Sequence, residues 1–249
     1  MGIQVINADL EATRKEKIKS ANFDVIVVGS GMSGGWAAKE FCERGYKTVV
    51  LDRGGDLQHG DYKTESSAPW EMPNRGIVTD AEADRDHEIT KLCYAFDEYT
   101  KQHFIKDREN PYESAEGKPF HWIRSAKVGG KSLLWHRQSY RLSEMDFQAN
   151  KKDGHGVDWP IRTKDIAPWY DYVEKFIGIS GSVENLPQLP DSVYQKPFPM
   201  NQVEKDAKVK IEEKFPGRKM IIGRCAHLTE PTEEQLSLGR GQCQSRDQC

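Results

Sequence analysis

FDVIVVGSGMSGGWAAKEFCERGYKTVVLDR, from Phe23 to Arg53, reads as strand, tight turn, helix and strand in succession. Asp24-Val25-Ile26-Val27-Val28 is a short apolar, β-branched run ending at a glycine, the pattern of a buried parallel strand. Gly29-Ser30-Gly31-Met32-Ser33-Gly34 follows at once and fits GxGxxG. Ser33 to Arg44 predicts a helix with Ala37, Ala38, Phe41 and Cys42 on one side, and Gly45 stands where a glycine closes a helix. Lys47 to Leu51 predicts a second strand, closed by Asp52.

The residue types follow from what such a turn must do. Gly29 permits the tight bend, Gly31 lets the backbone approach a pyrophosphate, and Gly34 lets the helix pack close to the strand. Free N–H groups and the positive end of the helix dipole then face the anion, to which Ser30, Met32 and Ser33 contribute main chain. Asp52 lies about 20 residues after the turn, where a carboxylate accepts from ribose hydroxyls and disfavours a 2′-phosphate. Arg53 begins the loop leaving the site. A dinucleotide containing ADP fits this stretch, which leaves FAD and NAD both open.

Composition narrows the partners. The 249 residues suffice for one large or two small domains, and a net charge of −3 gives no basic excess for nucleic acid. No apolar run approaches membrane-spanning length, and residues 1–22 lack the apolar segment of a signal peptide, so neither membrane insertion nor export is expected. Five cysteines, Cys42, Cys93, Cys225, Cys243 and Cys249, are odd in number and not spaced as a secreted framework; they favour a reducing, cytoplasmic compartment. Cys243 and Cys249 are expected as structural or free thiols, because two cysteines do not make an iron–sulfur site. No zinc or Ser-His-Asp arrangement stands out.

Residues 54–120 hold little periodicity and read as a long excursion over the nucleotide site and a subunit surface; within it Thr79 to Thr90 reads as a solvated face or loop. The second informative stretch is HWIRSAKVGGKSLLWHRQSYR, His121 to Arg141. Its Val128-Gly129-Gly130-Lys131-Ser132 is a glycine turn that lets main chain approach a ligand, and Leu133 to Tyr140 suggests an extended segment through the interior. Further on, Pro168 to Ile177 predicts a helix, Asn185 to Met200 a proline-rich connection, Asn201 with Glu204 the capped start of another helix ended by Pro216-Gly217, and Lys219 to Gly223 a short strand.

An N-terminal GxGxxG followed about a hundred residues later by Gly-Gly-x-Ser resembles the glucose–methanol–choline oxidoreductases, which bind FAD. Val157-Asp158-Trp159-Pro160-Ile161 and Asp165-Ile166-Ala167-Pro168-Trp169-Tyr170 resemble that family's entry into its substrate domain, with similarity to its bacterial sugar- and glycoside-oxidising, pyranose oxidase-like members. The resemblance implies an α/β fold: a Rossmann-like FAD-binding domain over residues 23–150, preceded by an N-terminal extension at 1–22, and the start of an α+β substrate-binding domain over 151–249.

Residue by residue, the resemblance implies that Gly29 to Gly34 hold the pyrophosphate and Asp52, where the family usually has glutamate, the ribose. Val128, Gly129, Gly130 and Ser132 match the turn that touches the flavin, with Leu133 and Trp135 beside it. Leu134 stands where members with covalent flavin place histidine, so non-covalent FAD is expected, and Trp135 stands where many have asparagine. The reaction the resemblance implies is oxidation of an alcohol carbon, with a sugar or glycoside secondary hydroxyl as the expected substrate and an electron-acceptor protein as a further expected partner. The similarity covers this chain as the N-terminal half of such a protein, so the catalytic histidine is expected in the remainder of a longer polypeptide. An NAD-dependent dehydrogenase and a non-catalytic dinucleotide-binding subunit are the alternatives.

Overall fold

The computed structural model describes residues 4–7, 22–63 and 67–245. The chain is a mixture of helices and short strands in small parallel sheets, an α/β arrangement. It divides into two compact units, one up to Trp135 and one from His136 onward.

The first unit is built on a parallel sheet ordered β1-β3-β2, with β1 Gln4–Asn7, β2 Val25–Val28 and β3 Thr48–Asp52. Helix α1, Met32–Glu43, connects β2 to β3. Its small Ala37 and Ala38 bring the helix close to the sheet, and Ala38 forms a buried cluster with Val27 and Val50, against which Val25 packs. Gly45, at φ +87°, closes α1 with its N–H on Cys42 O at 3.0 Å. The predicted strand–turn–helix–strand is present, but among the described residues β2 is an edge strand. Val27 is buried, whereas Ile26 and Val28 are 63% and 83% exposed. An apolar run that suits burial on both faces is thus covered on one among the described residues. β1 falls within the stretch read as an N-terminal extension and pairs with β3 from Gln4 opposite Val49 to Asn7 opposite Asp52.

Among the described residues, 54–120 carry short 3-10 turns and one α-helix, α2, Asp80–Asp86. The reading of Thr79 to Thr90 as a loop is corrected here. Thr79 Oγ1 accepts from Glu82 N–H at 3.3 Å, and Ala83 and Asp86 are buried while most of the helix faces outward.

The second unit contains α3 Glu144–Asp153, α4 Thr163–Ile177, α5 Gln202–Lys214 and α6 Glu233–Ser237, with β4 Ile179–Ser180 parallel to β5 Tyr194–Gln195. α4 starts five residues earlier than Pro168 suggests, because Asp165 caps it by accepting from Arg162 N–H at 2.8 Å. α5 begins at its predicted Asn201–Glu204 capping box. Lys219 to Gly223 is not a strand. Met220 N–H donates to Glu212 Oε1 and Met220 O accepts from Lys208 Nζ, so helix side chains take the place of sheet partners. The fully buried Arg224 donates to Pro190 O and Asp191 Oδ1 at 2.7 and 2.8 Å and lies 5.2 Å from the Tyr194 ring.

Candidate dinucleotide site

Three segments of the first unit meet at the carboxyl end of its sheet: the turn between β2 and α1, the loop after β3, and the second glycine turn. Gly29 adopts φ +89° and its N–H donates to Leu51 O at 2.7 Å, which ties the turn to the end of β3. Gly34 allows no side chain, since a Cβ there would stand 1.9 Å from Gly29 O. Gly31 is different: a Cβ would meet only Gly129 O, at 4.0 Å, so its remaining side is open. Among the described residues no side chain caps the start of α1, whose first turn includes Met32, Ser33 and Gly34. Orphan N–H groups at a helix start are suited to an anion.

Asp52 is fixed before any ligand arrives. Its Oδ2 accepts from Ser30 N–H at 2.8 Å and from Ser30 Oγ–H, and its Oδ1 accepts from Gly54 N–H at 2.8 Å. Partial burial pushes the carboxyl up, but the Ser30 hydroxyl and the Gly54 and Ser30 amides outweigh it, so Asp52 titrates below the ordinary aspartate value and stays ionised. Ser30 takes both lone-pair directions of Oδ2, so Oδ1 is the oxygen that faces a ribose hydroxyl.

Ser30 also joins the two glycine turns, because its Oγ accepts from Gly129 N–H at 2.8 Å while donating to Asp52. Gly129 and Gly130 take φ +93° and +57°. A Cβ on Gly130 would lie 3.4 Å from Gly31 Cα, so the two turns touch through main chain. Ser132 Oγ donates back to Gly129 O, and Leu133 folds over Gly129. Val128 N–H donates to Gly55 O at 3.1 Å. Gly130–Leu134 is a 3-10 helix, which corrects the extended segment expected from Leu133 to Tyr140 at Leu133 and Leu134, while Gln138 further on bridges antiparallel to Cys225. Trp135 follows that helix, half-buried, and Arg53 is exposed at the end of β3.

The expected Gly29 to Gly34, Asp52 and Val128 to Ser132 are therefore gathered in one place. Two contributors were not singled out from the sequence. Gly54 is required because a Cβ there would overlap Ala126 C and Lys127 N at 2.3 Å. The Ser30 hydroxyl acts as the bridge, a role that its place within GxGxxG does not disclose. The glycine pair that follows Asp52-Arg53 was the available signal for the first.

The donor set suits a dinucleotide phosphate beside a ribose: amides at a helix start, an open face at Gly31, and an ionised carboxylate held in place. No family model matches the chain. It is 25% identical over 179 residues to 2-methyl-1,2-propanediol dehydrogenase of Mycolicibacterium austroafricanum, covering 68% of this chain and 26% of that protein. The chain is similar to oxidoreductases. Paromamine 6'-oxidase of Streptomyces fradiae is 26% identical over 165 residues, 65% of this chain and 24% of that protein. Gluconate 2-dehydrogenase flavoprotein of Pantoea cypripedii is 23% identical over 186 residues, 68% of this chain and 28% of that protein. Each match spans about a quarter of the relative's length.

Among the described residues no helix is long and apolar enough to cross a membrane. Cys42, Cys93, Cys225 and Cys243 are free thiols, and Cys249 lies outside the described residues.

Proposed function

We propose that this chain carries the dinucleotide-binding part of an FAD-dependent oxidoreductase of the glucose–methanol–choline type. Its substrate would be an alcohol group, and we favour a secondary hydroxyl of a sugar or glycoside. The observation that carries the reading is the Ser30 bridge, which joins a GxGxxG turn, an acidic residue at the end of the next strand and a second glycine turn into one cradle. The likeness to enzymes named as a dehydrogenase, an oxidase and a flavoprotein supports the same class.

In this reading the amides around Gly31 to Gly34 hold the pyrophosphate, and Asp52, oriented by Ser30 and Gly54, holds the ribose. When bound, FAD supplies the acceptor for a hydride from the alcohol carbon. The second turn brings Gly129, Gly130 and Leu133 against the cofactor, and Leu134 gives no imidazole for a covalent bond. We assign no residue of this chain the task of taking the alcohol proton, which the resemblance places in a further part of a longer polypeptide. The apolar face of Ile26 and Val28 suits more protein packed against the sheet. An electron-acceptor protein fits the class as a partner.

Acid precipitation of the purified protein tests the cofactor. FAD in the supernatant is the expected result; flavin in the pellet would contradict non-covalent binding, and protein that takes up no FAD would overturn the proposal. Dye reduction across glycosides, free sugars and simple diols then tests the substrate class, with faster turnover of the sugars expected.

A further inference from the structure

Lys127 stands outside the residues given a role so far. Its main chain pairs in parallel with Gly55, three residues beyond Asp52, and Gly130 N–H donates to Lys127 O at 2.8 Å. Both bonds fix where its side chain begins. The chain then runs back over the loop after β3, where its Nζ lies 3.6 Å from the point a Cβ on Gly55 would occupy. Glycine at position 55 thus leaves space under a cation over the loop that follows Asp52.

The neighbours of that cation do not neutralise it. Among the described residues no carboxylate forms an ion pair with Lys127. Asp52 is engaged by Ser30 and Gly54, and Asp56 accepts from Gln58 Nε2 at 2.6 Å. His103 is nearby, buried, with Tyr62 against it at 5.7 Å between ring centroids. Burial and, after it, the Lys127 charge hold His103 below the ordinary histidine range, so it is neutral at pH 7 and adds no negative charge. A half-buried ammonium without an ion pair among the described residues, on a residue whose O holds the Gly130 that abuts Gly31, is suited to a phosphate.

We propose that Lys127 is an anion ligand of the dinucleotide site and pairs with the 5′-diphosphate of the ADP moiety. This rests on the dinucleotide reading above. The 5′-diphosphate is preferred to a 2′-phosphate because ionised Asp52 occupies the ribose end and would repel one. The glycines supply amide donors without net charge, and Lys127 supplies the full positive charge.

Calorimetric titration with ADP, adenosine and adenosine 2′-monophosphate, on wild-type protein and on Lys127→Ala and Lys127→Arg variants, tests this. Lys127→Ala should weaken ADP binding about tenfold, the scale of one charge-assisted hydrogen bond. Adenosine affinity and ligand-free thermal unfolding should be unchanged, and Lys127→Arg should retain most of the ADP affinity. Unchanged ADP affinity in Lys127→Ala, equal losses for ADP and adenosine, or a loss confined to the 2′-phosphate would each overturn this inference alone. Wild-type protein that binds none of the three would overturn the dinucleotide reading with it.

Discussion

The two glycine turns serve one site but need their glycines for different reasons. In the first, Gly34 is demanded by packing, since its Cβ would stand 1.9 Å from Gly29 O. In the second, Gly129 is demanded by handedness: φ is +93°, and the nearest obstacle to a Cβ is the flexible Leu133 side chain at 3.2 Å. Close packing between backbone segments cannot relax without moving the helix, whereas a left-handed residue costs a bounded amount. The first turn is therefore a matter of fold, and the second a matter of local backbone shape.

The largest expected effect follows from that contrast. Gly34→Ala should destabilise the protein by about 3 kcal/mol, since overpacking against main chain forces α1 from β2. Gly129→Ala should cost about 1–2 kcal/mol, the left-handed penalty for a residue with a Cβ. Denaturant unfolding of both variants measures the difference. Equal losses would break the distinction between the turns.

Ser30→Ala sharpens the comparison by cutting the link between them. It removes the donor to Asp52 Oδ2 and the acceptor of Gly129 N–H, while Ser30 N–H still reaches Asp52. A stability loss of about 1–3 kcal/mol is expected, with weaker dinucleotide binding. Loss of stability without loss of binding would make the bridge structural only.

The smallest effect concerns pH. His103, beside the second turn, has a lowered pKa in the folded protein, mainly through burial. The unfolded chain then binds the proton more readily, so stability is present above the ordinary histidine range and falls as pH drops through about 6.5. Asp52 acts further down: its carboxyl is lowered, so its contribution is present above the ordinary aspartate value, about 3.9, and is lost below it as pH falls through the lowered folded pKa. Thermal unfolding at pH 7.5 and 5.5, with His103→Gln flattening the slope, checks the first.

Much of the first turn was legible because each of its requirements has a sequence signature: glycines at fixed spacing, β-branched runs on either side, an acid at the end of the next strand. The second turn is legible only as a glycine pair, and its 3-10 continuation through Leu134 is set by Ser132 and Leu133 folding back on Gly129, contacts that have no period. α2 was overlooked because it is short and buries little, although Thr79 and Glu82 have capping spacing. Lys219 to Gly223 has a strand's composition, but Lys208 and Glu212 of α5 take its polar groups first. Distant partners decided each of these, and local sequence does not name them.

The central claim is that the two turns and Asp52 form one dinucleotide cradle, and Gly31 is where it is most exposed to test. Gly31 has φ −64°, which a side chain tolerates, and a Cβ there meets only Gly129 O at 4.0 Å, so Gly31→Val fills the ligand's space with little strain on the fold. Titrating FAD into flavin-stripped wild-type and Gly31→Val protein measures this directly. Stoichiometric binding by the wild type, with none by a variant that unfolds at the same temperature, is the predicted result; a folded Gly31→Val protein that binds FAD as tightly as the wild type would contradict it.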